Sequence, residues 1–296
     1  MSAEVIGQSL LSGILVGSLY GLAALGLSLV FGVLKVLNVA HGELLMFGGY
    51  GAFWAFSEFG IDPYVSLPLV LLALALAGVL LHFGLFRFVV KLDEEHRIKN
   101  SLLIGFGLTL ILQTAATRMF TGDDRKISTG YSTDSLEFIG LRFPYVRVSG
   151  LIIGALAVIA LQLFLNRTYW GKAIRATAED WRTASLSGID IRKMYLITFA
   201  IAAALAALAG MLVTVVYSVS PTIGLHWTLK ALIVVVLAGL GSLPGTFVAG
   251  IMLGFAEAAS VSVLGVGSEY RELVGLLMFL VILSIRPQGV FGGSHA

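Results

Sequence analysis

Runs of about 20 mostly apolar residues recur along the whole chain, and they constrain its fold more than any other feature. The 296 residues are 58% hydrophobic and only 12% charged, about half the charged fraction of a soluble domain. A helix of about 20 apolar residues crosses a bilayer core, where backbone polar groups must be satisfied internally. The pattern predicts an all-α polytopic membrane protein with about eight or nine transmembrane helices in one domain, residues 1–296.

The Lys and Arg residues between the apolar runs predict how the chain crosses the membrane. Residues 87–99 and 167–193 carry more than half of them, and short loops rich in Lys and Arg stay in the cytoplasm. Residues 121–149 have balanced charge, and the alternation of spans makes them a periplasmic loop. The N-terminus is then expected outside. The first run, from about Leu10, lacks a preceding basic segment and is expected to be a retained span.

Small residues indicate close helix packing in the first apolar run. Gly13, Gly17 and Gly21 recur every four residues, a spacing that lets a neighbouring helix approach closely. Packing within the chain is favoured over a subunit interface. A second group of small residues interrupts a later apolar stretch and predicts a broken helix, a hinge or a re-entrant pair. Its members are Gly239, Gly241, Pro244 and Gly245.

Polar residues at membrane depth are candidates for a translocation path. Ionisable groups inside a span indicate function unless they have a structural partner, and both interpretations remain open. Asn38 is expected to cap the second helix, with Glu43 in its first turn. A stripe of Thr109, Gln113 and Thr117 could line the path or supply hydrogen bonds between helices. The candidate path residues are Asn38, His41, Glu43, Gln113 and Glu257.

The polar, charged segment 167–193 stands out in this apolar chain. Residues 171–187 are predicted to form one amphipathic helix, with Ile174, Ala178 and Trp181 on one face and Gly188 at its end. Such a helix could fit a groove on a partner protein or lie on lipid headgroups. The candidate contact residues are Lys172, Arg175, Glu179, Asp180, Trp181, Arg182, Ala184 and Gly188.

This segment resembles the ATPase-coupling loop of bacterial ABC importer permeases. Residues 171–180 and 184–189 are similar to the branched-chain amino-acid (LIV-type) permease family, and more to the shorter of its two paired permeases. Further similar segments occur in the same order along the chain: 24–32 (ALGLSLVFG), 38–46 (NVAHGELLM), 239–245 and 286–289 (RPQG).

The resemblance implies a permease subunit that moves branched-chain amino acids or similar small polar solutes across the bacterial inner membrane. It implies as partners a homologous second permease in a heterodimer, two cytoplasmic ATPases and a periplasmic substrate-binding protein. The chain has no GxxxxGK[ST] segment for phosphate binding. ATP and Mg²⁺ are therefore expected on the ATPases, and the chain is expected to hold no cofactor or metal and to catalyse no reaction.

Other function classes make different predictions. A proton-coupled secondary transporter would use His41, Glu43 or Glu257 as a relay. A urea or short-amide importer would share the whole architecture, and a channel would need a pore-lining ring in an oligomer. An intramembrane enzyme is disfavoured because the sequence has no cysteine and no HExxH segment. Nucleic-acid binding is disfavoured because basic clusters with interleaved aromatic residues are absent.

Overall fold

Helices dominate the computed structural model, which describes residues 3–138, 140–263, 265 and 267–292. The elements in chain order are α1 (Ala3–Leu34), α2 (His41–Phe59), α3 (Pro63–Leu81), a π-helix (His82–Phe86), α4 (Arg87–Val89), α5 (Glu94–Phe120), β1 (Ser135–Phe138), β2 (Leu141–Pro144), α6 (Tyr145–Arg167), α7 (Tyr169–Glu179), α8 (Trp181–Leu186), α9 (Ile191–Val216), α10 (Ile223–Ala238), α11 (Leu243–Ser262), a 3₁₀ turn (Ser268–Tyr270) and α12 (Arg271–Ile285).

Among the described residues, six helices are long and apolar enough to cross a membrane. They are Glu4–Leu34, Pro63–Val89, Glu94–Phe120, Tyr145–Arg167, Ile191–Val216 and Leu243–Ser262. Helix α10 is apolar but shorter, and α2 and α12 are not among the six. The polytopic helical architecture is confirmed, whereas the expected count of about eight or nine spans is not.

The segment 121–149 departs from the all-helical prediction. It contains an antiparallel hairpin of β1 and β2, in which Glu137 pairs with Arg142. Their side chains form an ion pair at 2.8 Å, and Gly140 supplies the positive φ of +73° that the turn requires. The segment also ends earlier than predicted, because α6 already begins at Tyr145.

Helix α1 forms the centre of the bundle and packs closely on α11. Cβ atoms added at Gly13 and Gly17 would lie 2.6 Å from the carbonyl oxygens of Gly254 and Gly250, respectively. One added at Gly21 would lie 2.7 Å from a carbonyl of α11. The glycine stripe is therefore confirmed as a contact within the chain, with small residues on both helices.

The connection between α1 and α2 runs back into the bundle beside α5. Arg97 Nη1 donates to the Leu34 carbonyl at 2.9 Å, and the Leu37 N–H donates to Ser101 Oγ at 3.1 Å. This route places the start of α2 level with the middle of α1, because His41 Nε2 lies 3.1 Å from the Ala23 carbonyl oxygen. Helix α2 therefore begins inside the protein.

The prediction that Asn38 caps α2 is wrong. The N-cap position is Ala40, and no side chain caps the helix. Asn38 instead accepts a bond from the His41 N–H at its main-chain carbonyl, 3.1 Å away. Its side chain precedes the cap position by two residues and cannot reach the first-turn N–H groups as a cap does. Glu43 does lie in the first turn, as predicted.

The predicted break between two short helices lies between α10 and α11. Gly239 and Gly241 have φ angles of +93° and +94°, which glycine adopts without steric strain. Pro244 lies in the first turn of α11, where its missing N–H is tolerated. Residues 290–291 then return to α10: their N–H groups donate to the carbonyls of Leu237 and Ala238 at 2.8 and 2.9 Å.

Candidate translocation and coupling sites

Helices α2 and α10 begin next to each other inside the bundle. The Gly42 N–H donates to Thr228 Oγ1 at 2.9 Å, and this hydroxyl donates to the Val39 carbonyl at 2.9 Å. Gly224 in the first turn of α10 lies against the Glu43 carboxyl group, where a Cβ would be 2.5 Å from either oxygen. Two positive helix ends therefore flank one carboxyl group.

The polar side chains at this junction are almost completely buried. Asn38, His41 and Glu43 are each 2% exposed or less. His41 is bonded to the Ala23 carbonyl, but Glu43 Oε2 and Asn38 Oδ1 have no hydrogen-bond partner in the described structure. A buried acceptor without a partner is costly. The junction therefore has two acceptor atoms that a polar solute, a water molecule or a proton can satisfy.

Glu257 belongs to a different cluster, formed by four helices. Its Oε1 is 2.6 Å from Lys230 Nζ, and its Oε2 accepts a hydrogen bond from the Tyr20 hydroxyl at 3.2 Å. Arg271 Nε lies 3.3 Å from Oε2 as an ion pair without an aligned hydrogen bond. The Lys230 ammonium also lies 5.4 Å from the centre of the Tyr20 ring. These partners favour the structural interpretation of Glu257.

Helix α10 separates the two carboxyl groups. Gly224 faces the Glu43 carboxyl group and Thr228, one turn later, bonds to Gly42 at the start of α2, whereas Lys230 faces Glu257. Sequence reasoning identified both carboxylates but missed Lys230, because its partner is 27 residues away on another helix. Arg271 was missed for the same reason. The sequence did contain one indication of this partner, because Lys230 is a charged residue inside a short apolar segment.

Gln113 joins neither cluster and is partly exposed on α5. The hydroxyls of Thr109 and Thr117 donate to the carbonyls of Gly105 and Gln113, one turn earlier in the same helix, at 3.0 and 2.9 Å. The predicted stripe therefore satisfies its hydroxyls within α5 and not between helices.

The prediction of a single helix over residues 171–187 is wrong. Asp180 has φ −149° and ψ 100°, so α7 ends before it and α8 begins after it. Its carboxylate accepts bonds from the Arg182 N–H at 2.9 Å and from the Thr183 hydroxyl. These hydrogen bonds, the Thr183 hydroxyl first, lower the pKa of Asp180 below its usual range. Asp180 thus caps α8 and fixes a corner between two short helices.

The corner changes which side chains share a face. Ile174 is buried on α7, whereas Trp181 opens α8, is 45% exposed and has the Arg182 guanidinium 5.3 Å from its ring. Trp181 therefore does not continue the face of Ile174 and Ala178. Ala184 is buried on α8. Gly188 ends the segment with φ +83° and open space around it, so its backbone angle, and not packing, favours glycine there.

Helix α7 is held against the bundle on one side and is charged on the other. Gly171 packs against the main chain at the end of α6, and Thr168 caps the helix by accepting the Gly171 N–H at 3.0 Å. Lys172, Arg175 and Glu179 are exposed. This arrangement presents charges from a firmly docked helix.

A cavity of about 910 Å³ lies between α7, the end of α1 and the α10–α11 break. Arg175 and Glu179 line it together with Gly241, Pro244 and Lys35. The structure thus brings two coupling-loop candidates next to two residues of the predicted hinge. Sequence reasoning did not predict this proximity, because the two groups are distant along the chain.

Comparisons with known proteins place the chain in a family. A family model described as "Branched-chain amino acid transport system / permease component" matches residues 9–283. The high-affinity branched-chain amino acid transport system permease protein BraD of Pseudomonas aeruginosa is 32% identical over 295 residues, covering 96% of this chain and 95% of the relative. LivH permease proteins of the same description from Salmonella typhimurium and Escherichia coli are 31% and 30% identical, with the same coverage. No solved structure matches the chain. The full-length matches show that this chain belongs to the family of branched-chain amino acid transport system permease components.

Proposed function

We propose that this chain is the permease subunit of an ATP-driven importer in the bacterial inner membrane, carrying branched-chain amino acids or similar small polar solutes. The names of its relatives support the solute class. The observation that carries the proposal is the docked, outwardly charged helix α7 beside the α10–α11 break. Such a surface is what a separate ATPase needs to act on the helices.

The proposed assembly has five subunits. This chain is one permease domain, 1–296, and pairs with a homologous permease. Two ATPases hold ATP and Mg²⁺ and bind residues 167–193 on the cytoplasmic side. A binding protein delivers solute at residues 121–149 on the periplasmic side. In this proposal the chain itself has no catalytic role and binds no cofactor.

Coupling is proposed to act through α7 and α8. Lys172, Arg175 and Glu179 contact the ATPase, with Trp181 and Arg182 at the adjoining corner. Because Gly171 and Ile174 fix α7 to the bundle, displacement of α7 moves α6 and the end of α1 with it. The cavity at Gly241 and Pro244 provides the space into which α7 can move. Asp180 and Gly188 set the geometry of the segment.

The solute path is proposed to pass the junction of α2 and α10. Positive helix ends attract a carboxylate, and a carboxylate side chain attracts an ammonium group. The junction offers both, through the N-termini of α2 and α10 and through Glu43. An amino-acid zwitterion carries both complementary charges. His41 and Asn38 border this point, whereas Glu257 is assigned to structure.

The proposal is tested by purifying the tagged chain from its native membranes in mild detergent and identifying what accompanies it. Two ATPases and a second permease are expected. Recovery of the chain alone, intact and monodisperse, would contradict the proposal and favour a proton-coupled secondary transporter.

Uptake of radiolabelled leucine by cells then tests the coupling surface. Arg175→Glu and Gly188→Pro should each abolish uptake while leaving the protein in the membrane. Lys99→Gln is the matched control, since Lys99 is an exposed cation outside residues 167–193 that pairs with Glu95. Normal uptake in Arg175→Glu cells would overturn the assignment of α7, and urea uptake without leucine uptake would redirect the solute class.

A further inference from the structure

A second cavity, of about 1020 Å³, lies between the π-helix and the corner of α8 and α9. It is lined by residues from both Lys/Arg-rich segments, 87–99 and 167–193, and is separate from the cavity beside α7. Four exposed cations border it: Arg87, Lys91, Arg192 and Lys193. Asp190, the only acidic residue among the described lining residues, already pairs with Lys193 at 3.4 Å. The cavity therefore has an excess of positive charge.

The inner wall of this cavity has buried nitrogen atoms without partners. His82 is 4% exposed and its Nδ1 has no hydrogen-bond partner, and Arg97 is 7% exposed with an unpaired Nε. The two terminal nitrogens of Arg97 donate to main-chain carbonyls, so its guanidinium is fixed in place. A buried guanidinium N–H without an acceptor is costly. An oxygen-rich group in the cavity could satisfy it.

An apolar stripe leads along the membrane-facing side of α3 into the same cavity. Its members recur at helical spacing and are each more than half exposed: Leu69, Leu72, Leu76, Leu80 and Phe83. The π-helix starts at His82 and continues the stripe to Phe83, which lines the cavity. Trp181 and Phe88 lie at the cavity as well, and aromatic residues are typical of the membrane–water interface.

We infer that this cavity binds an anionic phospholipid. The phosphate group lies among Arg87, Lys91 and Arg192, and an acyl chain follows the stripe from Phe83 along α3. Basic pockets at the cytoplasmic ends of membrane helices suit anionic headgroups, and guanidinium groups bind phosphate through charge-assisted hydrogen bonds. A soluble phosphate compound would use the cations and leave the stripe unoccupied. The combination of cations and stripe therefore identifies a lipid.

Native mass spectrometry of the purified full-length chain tests this inference with phosphatidylglycerol and phosphatidylcholine as probes. Wild-type protein is expected to retain phosphatidylglycerol and not phosphatidylcholine. Each cation near an anionic headgroup strengthens binding about fivefold. The triple variant R87Q/K91Q/R192Q should therefore weaken phosphatidylglycerol binding about a hundredfold.

A charge-matched control distinguishes binding in this cavity from general electrostatic attraction between the protein and an anionic lipid. The variant K99Q/R167Q/R286Q removes three exposed cations that do not line the cavity and should bind phosphatidylglycerol as the wild type does. Equal losses in both triple variants would overturn the inference, and so would equal retention of phosphatidylcholine.

Two further measurements test whether the phosphate group belongs to a lipid and where the acyl chain lies. Competition with inorganic phosphate should leave the lipid bound, and its displacement would instead indicate a soluble anion site. Leu80→Gln in the apolar stripe should weaken lipid binding without changing the cations. Unchanged binding in Leu80→Gln would refute the placement of the acyl chain. Circular dichroism should show that each variant remains helical.

Discussion

Replacing Glu257 by glutamine tests whether the buried ion cluster holds α10, α11 and α12 together. The change leaves Lys230, whose side chain is 7% exposed, without a counterion. The ring of Tyr20, 5.4 Å away, offers a cation–π contact that does not replace the lost negative charge. Removing one partner of a buried ion pair costs about 3–5 kcal/mol. We expect Glu257→Gln to reduce the free energy of unfolding by this amount.

The other members of the cluster should contribute unequally to the free energy of unfolding. Lys230→Met leaves Glu257 with the Tyr20 hydroxyl at 3.2 Å and Arg271 at 3.3 Å, so we expect a smaller loss of about 1–3 kcal/mol. Arg271 is 37% exposed and can reach water, so Arg271→Gln should cost about 1 kcal/mol or less. The expected order of destabilisation is therefore Glu257, then Lys230, then Arg271.

Unfolding of the purified chain in detergent micelles, titrated with urea or SDS, measures these differences. The double variant K230M/E257Q should lose about 2 kcal/mol less unfolding free energy than the sum of the two single losses. Lys99→Met, which removes an exposed cation, should change stability by less than about 0.5 kcal/mol. Additive losses, or equal losses from all three positions, would refute the geometry of the cluster.

Three further changes test other parts of the structure. Gly17→Ala should cost about 1–3 kcal/mol in unfolding experiments, because its Cβ meets the main chain of α11; Gly107→Ala, with open space around it, should be neutral. Because hydrogen bonds lower the pKa of Asp180, the α8 cap should persist above the unfolded-state value of about 3.9 and weaken only as pH falls through the lower folded value. Coupled ATPase activity should then show no Asp180 titration between about pH 5 and 8, and Thr183→Val should raise this pKa in NMR titrations. Glu43→Gln should lower uptake about tenfold or more with stability retained; unchanged uptake would make the residue structural.

The parts of the fold that follow local rules could be predicted from the sequence. The spacing of Gly13, Gly17 and Gly21 indicated a close helix contact, and the structure supplies its partner within the chain. The Gly/Pro segment at 239–245 indicated a break, because glycine at positive φ and proline in a first turn both end or begin helices. These features depend on a few neighbouring residues.

Features that depend on distant residues could not be predicted. The Lys230–Glu257 pair joins two helices, and no local spacing reveals it. The corner at Asp180 was missed because residues 171–187 suit a helix throughout, and only the hydrogen bonds of the Asp180 carboxylate favour a restart. The burial of Asn38 beside α5 likewise depends on how the preceding segment turns back.

The end of α10 is completed by residues that are synthesised much later than the helix itself. The last carbonyls of this helix, Leu237 and Ala238, bind N–H groups of residues 290–291. At about 5–20 residues per second, a ribosome makes that partner several seconds after the helix itself. During this interval the helix end must keep its carbonyls in contact with water or with the insertion machinery, because lipid offers them no donor. The order of synthesis thus makes docking of residues 290–291 a late step of assembly, and a nascent chain stopped before them would carry an uncompleted helix end for quality-control proteases to recognise.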